Sequence, residues 1–157
     1  MRQLILIRGL PGSGKTTVAK TLDVDVIHEA DNFFITDGSY KFNQQQLPQA
    51  HKQCQDLTLQ SLKDDKKVAV CNTFSRQWEL EPYIKIGKQT NTKMLIIDLS
   101  DQLLTDHQLA ERNVHLVPIQ VISNMRQRWQ SEHQLQLATN IGYIKPTYQQ
   151  KEMINES

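Results

Sequence analysis

The chain has 157 residues, 18 Lys and Arg against 17 Asp and Glu, and a formal net charge of +1. That length suits one domain over residues 1–157 with one core. The near-neutral balance excludes a global field for nucleic acid or an anionic membrane, so any such contact has to come from a local patch.

The N-terminus opens on a short apolar strand, Gln3 to Arg8, of the kind buried on both faces. A glycine loop follows, and Gly14 to Leu22 reads as a helix leaving it. Val24 to His28 is a second strand. Phe33 to Phe42, with Asp37-Gly38 inside it, reads as a turn or small hairpin. Leu47 to Leu62 is a helix that tolerates Pro48 in its first turn. Val68 to Cys71 is a third strand, and Arg76 to Lys88 a helix with an expected interruption near Pro82. Lys93 to Leu99 is a fourth strand. Ser100 is expected to cap a helix through Asp101 to Arg112. Asn113 to Val117 breaks the pattern, and Pro118 opens a helix from Ile119 to about His133. The tail after Gly142 is polar, holds Pro146 and is expected to lie at the periphery, over about 142–157.

Strands alternating with helices predict a parallel sheet covered on both faces, with every strand C-terminal end on one edge. Leu4 to Ile7 and Met94 to Ile97 are the longest apolar runs and are far too short for a membrane span. A strand running straight into a glycine loop is not a signal peptide. Cys54 and Cys71 have no paired or metal-like spacing, which argues against a disulfide scaffold and a zinc site. The expectation is a soluble, cytoplasmic domain. His28, His51, His107, His115 and His133 share no metal-ligand spacing.

The sharpest signal is Gly9-Leu10-Pro11-Gly12-Ser13-Gly14-Lys15-Thr16, which fits G-x-x-x-x-G-K-[ST] without deviation. Glycines let the backbone curl so that several N–H groups face phosphate oxygens, and the following helix adds its positive end. The loop predicts a nucleoside triphosphate. Lys15 would reach its β and γ phosphates, and the Thr16 hydroxyl would take one position on Mg²⁺.

Phosphate transfer also needs a group to orient the acceptor and cations to neutralise charge. Asp31 follows the second strand, beside the loop. Position alone leaves it between a general base and a turn residue. Arg112 ends the helix after strand four, where the helix dipole alone also favours arginine. Asn72 to Arg76 follows the third strand directly and reads either as a crevice wall or as a polar loop. Asp98 ends the fourth strand, where it reads either as a group holding Mg²⁺ through water or as a plain strand end. Phe33, Phe34, Tyr40 and Phe42 read either as stacking platforms for bases or as packing under a hairpin.

Together these residues resemble the kinase domain of the phage-type polynucleotide 5′-hydroxyl kinases and their small P-loop relatives, which include the zeta-toxin-like kinases. The anchors are Gly9 to Thr17, Asp31-Asn32, Asn72-Thr73, and Arg112-Asn113 followed by Val117-Pro118-Ile119 and Met125. Asp31-Asn32-Phe33-Phe34, with Gly38, Tyr40, Phe42, Ala50-His51, Trp78-Glu79 and Pro82-Tyr83, is similar to a branch of predicted ATP-binding kinases. The resemblance implies an α/β P-loop NTPase, nucleoside-kinase-like, with a small helical lid at about 105–118. It implies that Gly9 to Thr17 bind ATP and that Lys15, Asp31 and Arg112 are catalytic, with Asp31 as general base and Arg112 acting from the lid. Asn72, Arg76 and Phe34 would line the acceptor site. Against the polynucleotide-kinase pattern, Phe34 replaces an arginine, Cys71-Asn72 replace a carboxylate, and the lid keeps one arginine. The acceptor implied is a polynucleotide or nucleotide 5′-hydroxyl. A small-metabolite hydroxyl and a non-catalytic ATP-binding adaptor stand as alternatives.

Overall fold

A computed structural model describes residues 1–100 and 104–146. Strand β1 (Gln3–Arg8) leads through the glycine loop into α1 (Lys15–Thr21), then β2 (Val26–His28). A tight 3-10 turn, Ala30–Phe34, precedes the hairpin β3 (Ile35–Thr36) and β4 (Ser39–Tyr40). Asp37 and Gly38 both take positive φ at its tip, as the sequence predicts. Helix α2 (Leu47–Lys63), β5 (Lys67–Asn72), α3 (Gln77–Gln89) and β6 (Lys93–Asp98) follow. Helices α4 (Asp106–Arg112) and α5 (Ile119–Gln127) come next, and β7 (Gly142–Ile144) closes the order.

The five-stranded sheet runs β2-β5-β1-β6-β7, all parallel. Leu4 and Leu6 of β1 pack on one face with Val68, Val70, Leu62, Leu80 and Tyr83, while Ile5 and Ile7 pack on the other with Ala69, Val18, Ala19 and Leu99. This period-two alternation, apolar on both faces, makes β1 the centre of the sheet. Each fully buried Leu or Ile contributes roughly 1.5–3 kcal/mol. In register, Arg8 lies opposite Asn72 on one side and Asp98 on the other, so three strands end level at the edge where the loop begins.

Four sequence expectations are corrected. Helix α3 runs unbroken through Pro82, because Leu80, Tyr83, Ile84 and Ile86 bury its inner face and outweigh the one missing N–H. The cap of α4 is Thr105, not Ser100: Thr105 Oγ1 accepts from Gln108 N–H at 3.2 Å, and Gln108 Oε1 accepts from Thr105 N–H at 2.8 Å. Ser100 N–H instead donates to Asp98 Oδ1 at 2.7 Å, and residues 101–103 of the expected helix lie outside the described residues. Helix α5 stops at Gln127, where Gln130 is drawn to the segment before α3 by its N–H to Ser75 O at 2.8 Å. Finally, Gly142–Ile144 is a strand of the sheet and not peripheral tail.

That last strand is fixed by a buried polar network. Arg8 is 0% and Asp98 1% exposed. Tyr143 Oη donates to Asp98 Oδ2, and Arg8 Nη1 donates to Tyr143 Oη at 3.1 Å. Arg8 Nε and Nη2 donate to the carbonyls of Phe74 (2.9 Å) and Ser75 (3.2 Å), and the guanidinium lies 4.1 Å from the Trp129 ring centroid. Asp98 is thereby occupied inside the protein. Removing one partner strands a buried charge, so Asp98→Ala should cost roughly 3–5 kcal/mol and Tyr143→Phe roughly 1–3 kcal/mol. Urea unfolding of the two variants measures both, and equal midpoints with wild type would show the network idle.

Candidate active site

The glycine loop sits over the level strand ends. Gly9 N–H donates to Thr73 O at 3.2 Å, tying the loop to the segment after β5. Gly12 (φ +84) and Gly14 (φ +94) take left-handed conformations that favour glycine. At Gly12 a Cβ would meet the Leu109 carbonyl oxygen at 2.5 Å, so the α4 backbone lies directly against the loop. Leu10 joins Leu109 and Ile122 in a buried cluster with Val117 and Met125 packed on it. Helices α4 and α5 therefore pack on the loop through apolar contact.

Inside the loop, Lys15 Nζ donates to the carbonyls of Gly9 (2.8 Å) and Leu10 (3.1 Å). Burial lowers its pKa to about 8, opposed by Cys71, Asp31 and Glu29 in that order. Ser13 Oγ is buried with no hydrogen-bond partner among the described residues. Thr16 Oγ1 donates to Glu29 Oε1. Thr17 is exposed on the first turn of α1.

Asp31 lies in the 3-10 turn after β2, near enough to Lys15 to raise its pKa. Its Oδ1 accepts from Tyr40 Oη at 3.3 Å, and its Oδ2 lies 3.7 Å from His115 Nε2 of the lid loop. Burial and then the Asp31 charge push the Tyr40 phenol up to about 12. Asn72 supports this turn from below: its Oδ1 accepts from Ala30 N–H at 3.0 Å, and its Nδ2 donates to Tyr83 Oη at 3.4 Å. Burial pushes the Cys71 thiol up to about 12, so at neutral pH it stays neutral next to Lys15.

A family model described as an AAA domain matches residues 4–132. The chain belongs to this AAA_33 family. NEDD4-binding protein 2 from Homo sapiens is 33% identical over 135 residues, 81% of this chain, and the chain spans 8% of that protein's length. A sugar kinase from Janibacter aligns with a TM-score of 0.68 at 12% identity, covering 99% of this chain and 91% of that one. The Pnkp1/Rnl/Hen1 complex aligns with a TM-score of 0.56 at 22% identity, over 71% of this chain and 38% of that one. The fold of this AAA_33 domain is thus kinase-like and built on a P-loop. No helix among its described residues is long and apolar enough to cross a membrane.

Within the AAA_33 domain the expected site residues divide. Lys15, Thr16 and Asp31 come together at the strand ends. Arg112 ends α4 exposed, with no hydrogen bond or ion pair to a described residue. Asn72 spends its side chain inside the protein. Arg76 stacks its guanidinium 5.3 Å from the half-exposed Trp78 ring, and its buried Nε lacks a partner among the described residues. Phe34 corrects the acceptor assignment: at 3% exposure, edge-on to Phe33, Tyr40 and Phe42, it is the floor under the hairpin. Glu29 is the residue that sequence reasoning missed. Its signal was a second carboxylate two positions before Asp31, just past an apolar strand.

Below pH 8 Lys15 carries its charge, and a bound triphosphate stabilises that form. Above pH 8 the free protein has lost the proton, so triphosphate binding has to take one up. Affinity for a non-hydrolysable ATP analogue should therefore fall as pH rises through 8, by at most about tenfold per unit. Calorimetry from pH 7 to 9.5 checks this, with Lys15→Met expected to bind weakly and without that slope.

Proposed function

We propose that the chain is an ATP- and Mg²⁺-dependent kinase that moves the γ-phosphoryl group to an acceptor hydroxyl, the 5′-hydroxyl of a polynucleotide or nucleotide. The observation that carries this reading is a partly exposed carboxylate, Asp31, beside a phosphate loop whose half-buried lysine is charged at neutral pH. The loop fits a triphosphate: a half-buried ammonium that among the described residues donates to two backbone carbonyls, the orphaned Ser13 hydroxyl and the positive-φ glycines are the features a phosphate chain completes.

Thr16 and Glu29 are the residues that would hold Mg²⁺, which when bound neutralises charge on the β and γ phosphates. Their hard oxygen donors suit that ion, which needs few protein ligands. Lys15 exchanges its carbonyl partners for phosphate oxygens. Asp31 accepts the hydroxyl proton and orients the oxygen in line with the γ-phosphorus. Arg112, on a helix packed against the loop, supplies the cation for the group in transit. Most of the catalysis is positioning and charge neutralisation.

Asp31→Asn should cut transfer roughly a hundred- to ten-thousand-fold while leaving ATP binding intact, because only the acceptor step uses the carboxylate. γ-Phosphate transfer to a 5′-hydroxyl oligonucleotide, adenosine and gluconate, read alongside nucleotide binding, measures both. Transfer to gluconate alone moves the acceptor to the small-metabolite class. Wild-type rates in Asp31→Asn remove the base, and nucleotide binding without any transfer favours the adaptor.

A further inference from the structure

The lid loop between α4 and α5 is a preformed finger. Asn113 ties it: Nδ2 donates to the carbonyls of Leu109 (3.3 Å), Ala110 (2.9 Å) and Val117 (3.3 Å), and Oδ1 accepts from Val117 N–H at 2.7 Å. Leu116 takes φ +56 to make the bend. Val114 and Leu116 are 82% and 85% exposed, so the apolar side chains at the tip contribute little to docking the loop. His115, between them, turns inward. Its ring stacks on Tyr40 with centroids 4.5 Å apart and planes at 29°, and its Nε2 faces Asp31 Oδ2.

We propose that His115 binds the acceptor hydroxyl together with Asp31, which makes acceptor binding and lid docking one event. This rests on the kinase reading. The 3.7 Å between Nε2 and Oδ2 is longer than a hydrogen bond, so the two groups do not satisfy each other. A hydroxyl oxygen about 2.8 Å from each fits between them and bonds to both. Their side chains are 23% and 42% exposed, which leaves the gap open for entry. Tyr40 fixes both partners, one through its hydroxyl and one through its ring face.

In the neutral tautomer His115 Nε2–H donates to the hydroxyl oxygen, and the hydroxyl donates to Asp31. On transfer the hydroxyl proton passes to Asp31 and the oxygen bonds to the γ-phosphorus. The bond from that phosphorus to the bridging oxygen breaks, and its electron pair leaves on ADP. In a loose transition state the attacking oxygen keeps its proton until late, so a donor on that oxygen costs little and its gain is orientation.

The test is steady-state kinetics of His115→Ala and His115→Gln with Mg-ATP and the best acceptor among the oligonucleotide, adenosine and gluconate. Amide exchange over residues 113–117 is measured in parallel. His115→Ala should raise the acceptor KM roughly three- to tenfold, leave the ATP KM within about twofold, and speed exchange in the loop. His115→Gln, which keeps a donor near the Nε2 position, should recover most of the KM. Faster loop exchange with an unchanged acceptor KM would make His115 a packing residue and overturn the assignment while the kinase reading stands. If wild type binds nucleotide but phosphorylates none of the three acceptors, the kinase reading fails and this assignment falls with it.

Discussion

The site is organised around one desolvated charge. Lys15 is half-buried in the loop and held by the carbonyl oxygens of Gly9 and Leu10, and its desolvation is what lowers its pKa to about 8. In the same loop Gly12 and Gly14 adopt left-handed conformations, and Gly9 is anchored to Thr73. The anchor holds because β1, β5 and β6 end level. A chain of short-range constraints thus runs from strand register to an ammonium waiting for a stronger partner. Glu29 and Asp31 lie close enough to favour its charge, but neither forms an ion pair with it in the described structure.

Helices α4 and α5 are joined to that loop by packing. Leu10, Leu109 and Ile122 share one buried cluster, and the Leu109 carbonyl fills the space a side chain at position 12 would need. Helix α4, which carries Arg112, therefore sits against the glycine loop. On the far side of the sheet end, Arg8 joins Asp98, Tyr143 and Trp129 into a network that locks the last strand and the turn after α5. The network is buried, with Arg8 and Asp98 at 0% and 1% exposure.

Much of this was legible in the sequence because it rests on local pattern. The apolar run in β1, the glycine loop, the Asp37-Gly38 turn and the Asn113 break each carry their own short-range reason. What escaped was decided by distant contacts. The end of α5 depends on a hydrogen bond from Gln130 to Ser75, and β7 depends on Asp98 and Arg8 finding Tyr143. Phe34 reads equally as platform or floor until the hairpin folds over it. Asn72 appears available in the sequence, yet Ala30 N–H claims its carbonyl oxygen. Glu29 and His115 gain meaning only when the turn after β2 and the lid loop meet across Asp31.

The most direct test of the account is a crystal structure with Mg²⁺ and a non-hydrolysable ATP analogue. The triphosphate should lie along residues 9–16, with Lys15 Nζ moved from the carbonyls of Gly9 and Leu10 onto phosphate oxygens and Thr16 parted from Glu29 by the metal. A nucleotide bound elsewhere, with Lys15 still on those carbonyls and Thr16 still bonded to Glu29, would contradict it.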